Sequence, residues 1–169
     1  KLMEKVLYLE KEKSITFTGH RIIPFIRQEE VRTQLTTVVA LAYKSGITCF
    51  YCGMALGFDL MAAEVVLSLK DKFSDIQLIA VVPFSGQSSR WTSSEQERYH
   101  RILSQANKVV TLSKDYFRGC LLRRNDYMLS HSCSVIAYYD GKPKGGTFYT
   151  VRKAERMKMN VVNIYGKRG

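Results

Sequence analysis

The stretch Ile47-Thr-Cys-Phe-Tyr-Cys-Gly-Met-Ala-Leu-Gly-Phe-Asp59 joins an apolar, strand-like run to a glycine-rich turn, and a helical pattern follows. A second stretch has the same order, because Val135-Ile-Ala-Tyr-Tyr139 precedes Asp140-Gly-Lys-Pro-Lys-Gly-Gly-Thr147. Glycine lets a backbone take positive φ and approach a ligand closely, and the helix that follows directs free N–H groups at the turn. Two such turns in one small domain predict a phosphate-bearing ligand, such as a nucleotide.

Around these turns, apolar strand-like runs alternate with segments of helical periodicity. Strands are predicted at 14–18, 47–51, 76–82, 108–112, 135–139 and 161–165, and helices at 28–44, 59–70, 93–106, 119–131 and 147–158. Asp59 is the expected N-cap of the second helix, and Ser93 with Gln96 has capping-box spacing at the third. This alternation predicts an α/β fold, a three-layer, Rossmann-like, doubly wound and mainly parallel sheet. No linker or repeat divides the chain, so one domain is expected over 1–169, with its core at about 14–165.

Polar or glycine-rich segments follow four of the predicted strands directly. They are 18–21 (Thr-Gly-His-Arg), the 53–59 turn, 83–87 (Pro-Phe-Ser-Gly-Gln) and 145–147 (Gly-Gly-Thr). In open parallel sheets, ligands bind in the crevice beyond the carboxyl ends of the strands. The four segments are therefore expected at one rim, with Gly19, Gly53, Gly57 and Gly145 lining one pocket.

Composition narrows the class of protein. The chain has 169 residues, 46% of them hydrophobic, which suits one domain with a sizeable core. Its apolar runs are too short to span a bilayer, and its first residues show no signal-peptide pattern, so a cytoplasmic protein without membrane contact is expected. Cys49 and Cys52 form an isolated C-x-x-C, which favours buried thiols over a metal site; no metal and no required cofactor are expected.

The net charge of the chain bears on which kinds of partner it can bind. The formal net charge is +11, with a basic excess near the end of the chain: Arg152, Lys153, Arg156, Lys158, Lys167 and Arg168. A basic surface attracts nucleotides and nucleic acids alike. Charge alone therefore does not separate a small-ligand protein from a nucleic-acid binder.

The glycine-rich turns supply the first candidate ligand-binding residues. Gly145, Gly146 and Thr147 are interpreted as an anion cradle built from amides, a hydroxyl and a helix N-terminus; the alternative is an ordinary turn with Thr147 as N-cap. The 53–59 turn is interpreted as flanking a sugar or second phosphate, with Asp59 binding a ribose hydroxyl, and its N-cap role remains an alternative.

Other candidates carry charged or aromatic side chains. Arg21 could clamp phosphate bidentately, and His20 could contact a base or transfer a proton; a surface ion pair and a turn histidine are the alternatives. Arg124, expected to point inward, lies with Asn125 near the same rim. Trp91 follows Pro83 in a polar loop, where it would stack on a base or on a partner, or pack against its own helix. Glu64 is interpreted either as a partner of a rim arginine or as a catalytic carboxylate.

The order of these motifs resembles the SLOG superfamily, named for the Smf/DprA and LOG (Lonely Guy) proteins, and within it the YpsA-type branch of small stand-alone proteins. The motifs, from 15 to 164, are Thr18-Gly19-His20-Arg21, Gly53-x-x-x-Gly57-x-Asp59 with Glu64, Pro83-Phe84 with Gln87 and Trp91, Tyr116, Arg124-Asn125, and Gly145-Gly146-Thr147. The resemblance implies a Rossmann-like fold whose strand-end loops bind nucleotide-derived ligands.

Lonely Guy enzymes cleave a base from a nucleoside monophosphate with an arginine and the glutamate of a P-G-G-x-G-T-x-x-E motif. The resemblance places Arg124 at the arginine, whereas Thr150 stands where the glutamate would be. A hydroxyl cannot replace a carboxylate base, which argues against this hydrolysis.

Three functions follow from the sequence. The first is binding or sensing of a nucleotide, ADP-ribose or dinucleotide. The second is hydrolysis of an N-glycosidic bond with Glu64, Asp59 or His20 in place of the missing glutamate. The third, on the DprA side of the resemblance, is binding of nucleic acid. Whether the chain forms a homodimer is left open.

Overall fold

The computed structural model describes residues 1–166, with side chains described for 1–6 and 10–166. The last three residues of the domain expected at 1–169, which include Lys167 and Arg168, lie outside this part of the chain. The strands are β1 (Ser14–Gly19), β2 (Cys49–Cys52), β3 (Gln77–Val82), β4 (Lys108–Thr111), β5 (Ser134–Tyr138) and β6 (Asn160–Asn163). The helices are α1 (Leu2–Glu12), α2 (Gln28–Lys44), α3 (Phe58–Ser68), α4 (Ser93–Gln105), α5 (Cys120–Ser130) and α6 (Gly145–Arg156).

The six strands form one sheet in the order β4-β3-β2-β1-β5-β6, and every pairing is parallel. The chain builds from β1 outward to β4, returns to the other side of β1, and continues through β5 to β6. This reversal creates a switch point between β1 and β5, where open α/β sheets characteristically bind their ligands. The predicted Rossmann-like, doubly wound fold is confirmed.

Helices cover both faces of the sheet, as the alternation of strand residues shows. Leu78 and Ala80 of β3 belong to the core beneath α2, α3 and α4. Ile79 and Val81, which point the other way, pack with Met128 of α5. Burial on both faces explains why β3 is an apolar run from Leu78 to Val82 rather than an alternating pattern.

The start of the chain differs from the expectation, because α1 was not predicted. Its apolar residues Leu2, Met3 and Val6 are exposed, so the described side chains of α1 include no buried apolar stripe.

Three helix starts also differ from the expected caps. The capping box of α4 is formed by Thr92 and Glu95, not by Ser93 and Gln96. Helix α3 has Gly57 at its N-cap, so Asp59 lies inside the first turn. Thr147 lies inside α6, whose N-cap is Lys144 and has no side-chain cap hydrogen bond. The observed caps lie one, two and three residues before the positions expected, and helix boundaries drawn from sequence are commonly in error by this much.

Candidate functional site: a basic cavity at the switch point

A cavity of about 410 Å³ opens beyond the carboxyl ends of β1 and β5. Its walls come from the end of β1, the start of α3, the first turns of α5 and the start of α6. The lining residues are Phe17, Thr18, Gly19, His20, Arg21, Ala55, Asp59, Tyr116, Gly119, Leu121, Leu122, Arg124, Asn125, Met128, Lys144, Gly145, Gly146 and Thr147. We call this space the cradle cavity. Segments far apart in sequence thus meet at the switch point of the sheet.

The start of α6 forms one wall of the cradle cavity. Gly145 begins the helix at φ +90°, and no side chain caps the first turn, which also lacks acidic residues. The N–H groups of Gly145, Gly146 and Thr147 donate to no acceptor within residues 1–166. A Cβ added at Gly146 would meet only Asn125 Nδ2, at 3.8 Å. The wall therefore offers free donors and the positive end of a helix dipole to an anion.

Arg124 and Asn125 of α5 form the opposite, buried wall. Their exposed fractions are only 5% and 7%. Arg124 Nε donates to Asn125 Oδ1 at 2.7 Å, and Nη1 donates to the carbonyl of Gly53. Burial lowers the pKa of the Arg124 guanidinium, and the nearby Asp59 opposes that effect. Asn125 Nδ2 makes no hydrogen bond within the described residues, so it is a donor held ready beside Gly146.

Gly53 and Gly57 do not line the cradle cavity, contrary to the expectation. A Cβ at Gly53 would lie 2.8 Å from Cζ of Arg124, and one at Gly57 would lie 2.1 Å from the backbone oxygen of Arg21. Gly19 does line the cavity, yet a Cβ there would meet the ring of Phe58 at 2.3 Å. These three glycines are therefore required by contacts within the protein, whereas Gly145 and Gly146 open into the cradle cavity.

Asp59 is the one carboxylate that lines the cradle cavity. It is 6% exposed, and its Oδ2 accepts the N–H of Ala55 at 3.2 Å. Burial raises its pKa to about 6, although Arg124, the Ala55 amide and Arg21 all favour the ionised form. A carboxylate that titrates near neutrality inside a cavity is a group that can accept a hydroxyl proton or share one.

The raised pKa of Asp59 predicts a pH-dependent loss of stability. Because the folded-state pKa exceeds the ordinary value of 3.8, ionisation costs the folded state more as pH rises from about 4 to about 6. The free energy of unfolding of Asp59→Asn, relative to the native chain, should increase by about 2 kcal/mol between pH 4 and pH 7. Urea denaturation at both pH values measures this difference. A difference that does not change with pH would contradict the shifted pKa.

His20 and Arg21 follow β1 directly at the mouth of the cradle cavity. His20 Nε2 accepts the N–H of Asp140 at 2.9 Å, which leaves the proton of the neutral ring on Nδ1. The same Nε2 lies 3.3 Å from Asp140 Oδ1. Arg21 is exposed and forms no ion pair within the described residues. Its guanidinium is available to a ligand.

Trp91 and the segment after β3 line a neighbouring cavity of about 630 Å³. It shares Arg21, Ala55, Tyr116 and Leu121 with the cradle cavity. Pro83 lines neither cavity, whereas Phe84 beside it does. Tyr116 and Lys144 were not among the predicted binding residues, although both stand in stretches that the sequence motifs marked.

Glu64 and Thr150 lie away from the cradle cavity. Glu64 accepts hydrogen bonds from Arg98 and lies 3.8 Å from Arg32, so its carboxylate is held between α2 and α4. Thr150 is fully buried in α6, with Oγ1 donating to the carbonyl of Gly146 at 3.0 Å. A glutamate at position 150 would therefore have its backbone at a buried position and not on the wall of the cradle cavity.

Within the described residues, no group of three or more His, Cys, Asp or Glu side chains is arranged to hold a metal ion. The four cysteines are free thiols. None of the helices in that part of the chain combines the length and the apolar content needed to cross a membrane.

Two comparisons with known proteins, one with a family model and one with individual relatives, agree with each other. The family model described as YspA SLOG matches residues 15–165. A UPF0398 protein of Halalkalibacterium halodurans is 30% identical over 88% of this chain and 77% of its own length. One from Bacillus cereus is 31% identical over 88% of this chain and 79% of its own length.

A solved structure resembles the fold as well. It is the DNA processing protein A from Helicobacter pylori, described for its single-stranded DNA binding mode, with a TM-score of 0.63 and 20% identity. The match covers 90% of this chain but 65% of that one.

Proposed function

The chain belongs to the YspA SLOG family, and from this premise we propose that it binds a nucleotide-derived ligand through its phosphate in the cradle cavity. One observation carries the proposal. The uncapped start of α6 faces Asn125 Nδ2, a donor without an acceptor among the described residues, and Arg124 lines the same space. An oxyanion accepts from all of these groups at once, and hydrogen bonds to a charged group are stronger than those between neutral groups.

The charges lining the cradle cavity support an anionic ligand. Arg21, Arg124 and Lys144 provide three cations against the single carboxylate of Asp59. The N-termini of α3 and α5 also lie at this cavity, and neither has a side-chain cap. Asp59 lines the same cavity and, in this proposal, accepts a ribose hydroxyl, the role predicted for it from the sequence. The free thiols of the four cysteines agree with the proposed cytoplasmic location.

The test is calorimetric titration with AMP, ribose 5-phosphate and ADP-ribose. Arg21→Gln should weaken AMP about tenfold to a hundredfold, because a hydrogen bond to a charged group contributes about 1.5–3 kcal/mol. Arg101→Gln is the matched control, because Arg101 is exposed on α4 and lines neither cavity. The affinity of this variant for AMP should equal that of the native chain. Equal losses of AMP affinity in the two variants would show that the effect comes from the change in net charge. Failure of all three ligands to bind would contradict the proposal.

Hydrolysis of an N-glycosidic bond is the first alternative. Asp59 favours it more than Glu64 does, because Asp59 lines the cradle cavity and Glu64 is engaged by Arg98. Release of base from a bound nucleoside monophosphate, lost in Asp59→Asn while binding persists, would support this alternative.

Binding of nucleic acid is the second alternative, favoured by the outer face of α6. Phe148, Tyr149, Arg152, Lys153 and Arg156 line a surface depression there, with Arg152 and Lys153 over the two rings. The same titration with a single-stranded oligonucleotide distinguishes the cases. Binding that weakens steeply with salt and survives changes in the cradle cavity would indicate nucleic acid rather than a small ligand.

A further inference from the structure

The cavity beside the cradle has walls of a different chemistry. Its aromatic residues are Phe84, Trp91 and Tyr116, and no carboxylate is among its lining residues. The rings of Phe84 and Tyr116 meet edge to face at 5.4 Å. We call this space the aromatic cavity.

The walls of the aromatic cavity are held by α4 before any ligand arrives. The indole of Trp91 packs edge to face on Tyr99 at 5.2 Å, and Tyr99 is itself buried. Tyr99 Oη donates to Gln87 Oε1 at 3.0 Å. Gln96 Nε2 donates to the backbone carbonyls of Ser88 and Ser89. A fixed ring wall loses little entropy when a flat ligand stacks on it.

One carbonyl connects the two cavities. The oxygen of Gly53 accepts from Arg124 Nη1 on the cradle side and from Gln87 Nε2 at 3.0 Å on the aromatic side. Arg21, which has no ion pair within the described part of the chain, lines both spaces. A ligand with an anion at one end and a ring at the other would therefore lie across Arg21.

On the basis of the function proposed above, we propose that the aromatic cavity is the base subsite of the same ligand. The substrate class is then a small nucleotide whose phosphate lies in the cradle cavity and whose base lies among Phe84, Trp91 and Tyr116. Sugar phosphates and inorganic phosphate would use only the cradle half. The flat ring supplies the apolar contact that these three side chains otherwise give to water.

The experiment uses Trp91, the single tryptophan of the chain, as a reporter. AMP should change its fluorescence on binding, whereas ribose 5-phosphate should bind without that change. AMP should also bind about tenfold to a hundredfold more tightly than ribose 5-phosphate, the range expected when a base gains one aromatic stacking partner.

Two variants separate the base subsite from the cradle. Trp91→Leu and Phe84→Leu each remove a ring that lines only the aromatic cavity, and calorimetry should show about a tenfold loss for AMP with ribose 5-phosphate unchanged. Phe84→Leu keeps the test available if Trp91→Leu fails to fold. Phe117→Leu is the control, because Phe117 lines neither cavity.

Each outcome has one meaning. Equal affinities for AMP and ribose 5-phosphate, or equal losses for both ligands in the variants, would overturn the base subsite while leaving phosphate binding in place. Failure of both ligands to bind would overturn the function proposed for the cradle cavity instead.

Discussion

Gly57→Ala should lose about 4 kcal/mol or more of the free energy of unfolding, which is a large share of the ~5–15 kcal/mol typical of a domain. The residue has φ +80°, which disfavours any side chain. The added Cβ would also lie 2.1 Å from the oxygen and 2.3 Å from the carbon of the Arg21 carbonyl. That carbonyl is backbone, and the Phe58 N–H to His20 carbonyl bond at 3.1 Å holds the two segments together. Neither segment can move aside cheaply.

Gly141→Ala is the matched control for this prediction. Gly141 has φ +87°, nearly the same backbone strain, yet no heavy atom lies within 4 Å of its added Cβ. It should lose only about 1–2 kcal/mol, the cost of a left-handed backbone for an L-residue. Urea denaturation of both variants measures the two losses. Similar values would show that the dihedral angle, and not the contact with Arg21, requires glycine at position 57.

Gly146→Val should abolish binding of AMP and of ribose 5-phosphate, with a loss of at least about a hundredfold, because the cradle interactions are charge-assisted hydrogen bonds made together. A Cβ at this position meets only Asn125 Nδ2, so the valine methyl groups would occupy the space that the phosphate needs. Gly146 has no positive φ, and the added Cβ would come no closer than 3.8 Å to its nearest neighbouring atom, Asn125 Nδ2. The free energy of unfolding should therefore change by less than about 1 kcal/mol.

Gly146→Ala provides the graded comparison. A single methyl group should weaken AMP binding to an intermediate degree, and stability should be equal to or slightly above that of the native chain. Calorimetric titration of the three proteins, beside their thermal unfolding, checks the series. Native AMP affinity in a folded Gly146→Val protein would show that the phosphate does not lie against the start of α6.

Local patterns determined most of the secondary structure. The run at 76–82 is apolar apart from Gln77, and β3 occupies Gln77–Val82; the periodic apolar residues at 28–44 become α2 with the same bounds. Strand and helix periods depend on residues a few positions apart, so a sequence displays them directly. None of the described side chains of α1 is buried, and this helix was missed. The cap of α4 was displaced by one residue because Thr92 with Glu95 and Ser93 with Gln96 offer the same capping pattern.

The sequence by itself determined the α/β class and the rim on which the polar segments gather, because all strands of a parallel sheet end at one edge. Only the tertiary structure decided the role of each residue at that rim. Gly53 makes room for Arg124, 71 positions away, and Glu64 is drawn to Arg98, 34 positions away. Thr150, in the position of a catalytic glutamate, faces the interior. Such pairings depend on how α3, α4, α5 and α6 pack around the sheet, and side-chain spacing along the chain carries no record of that packing.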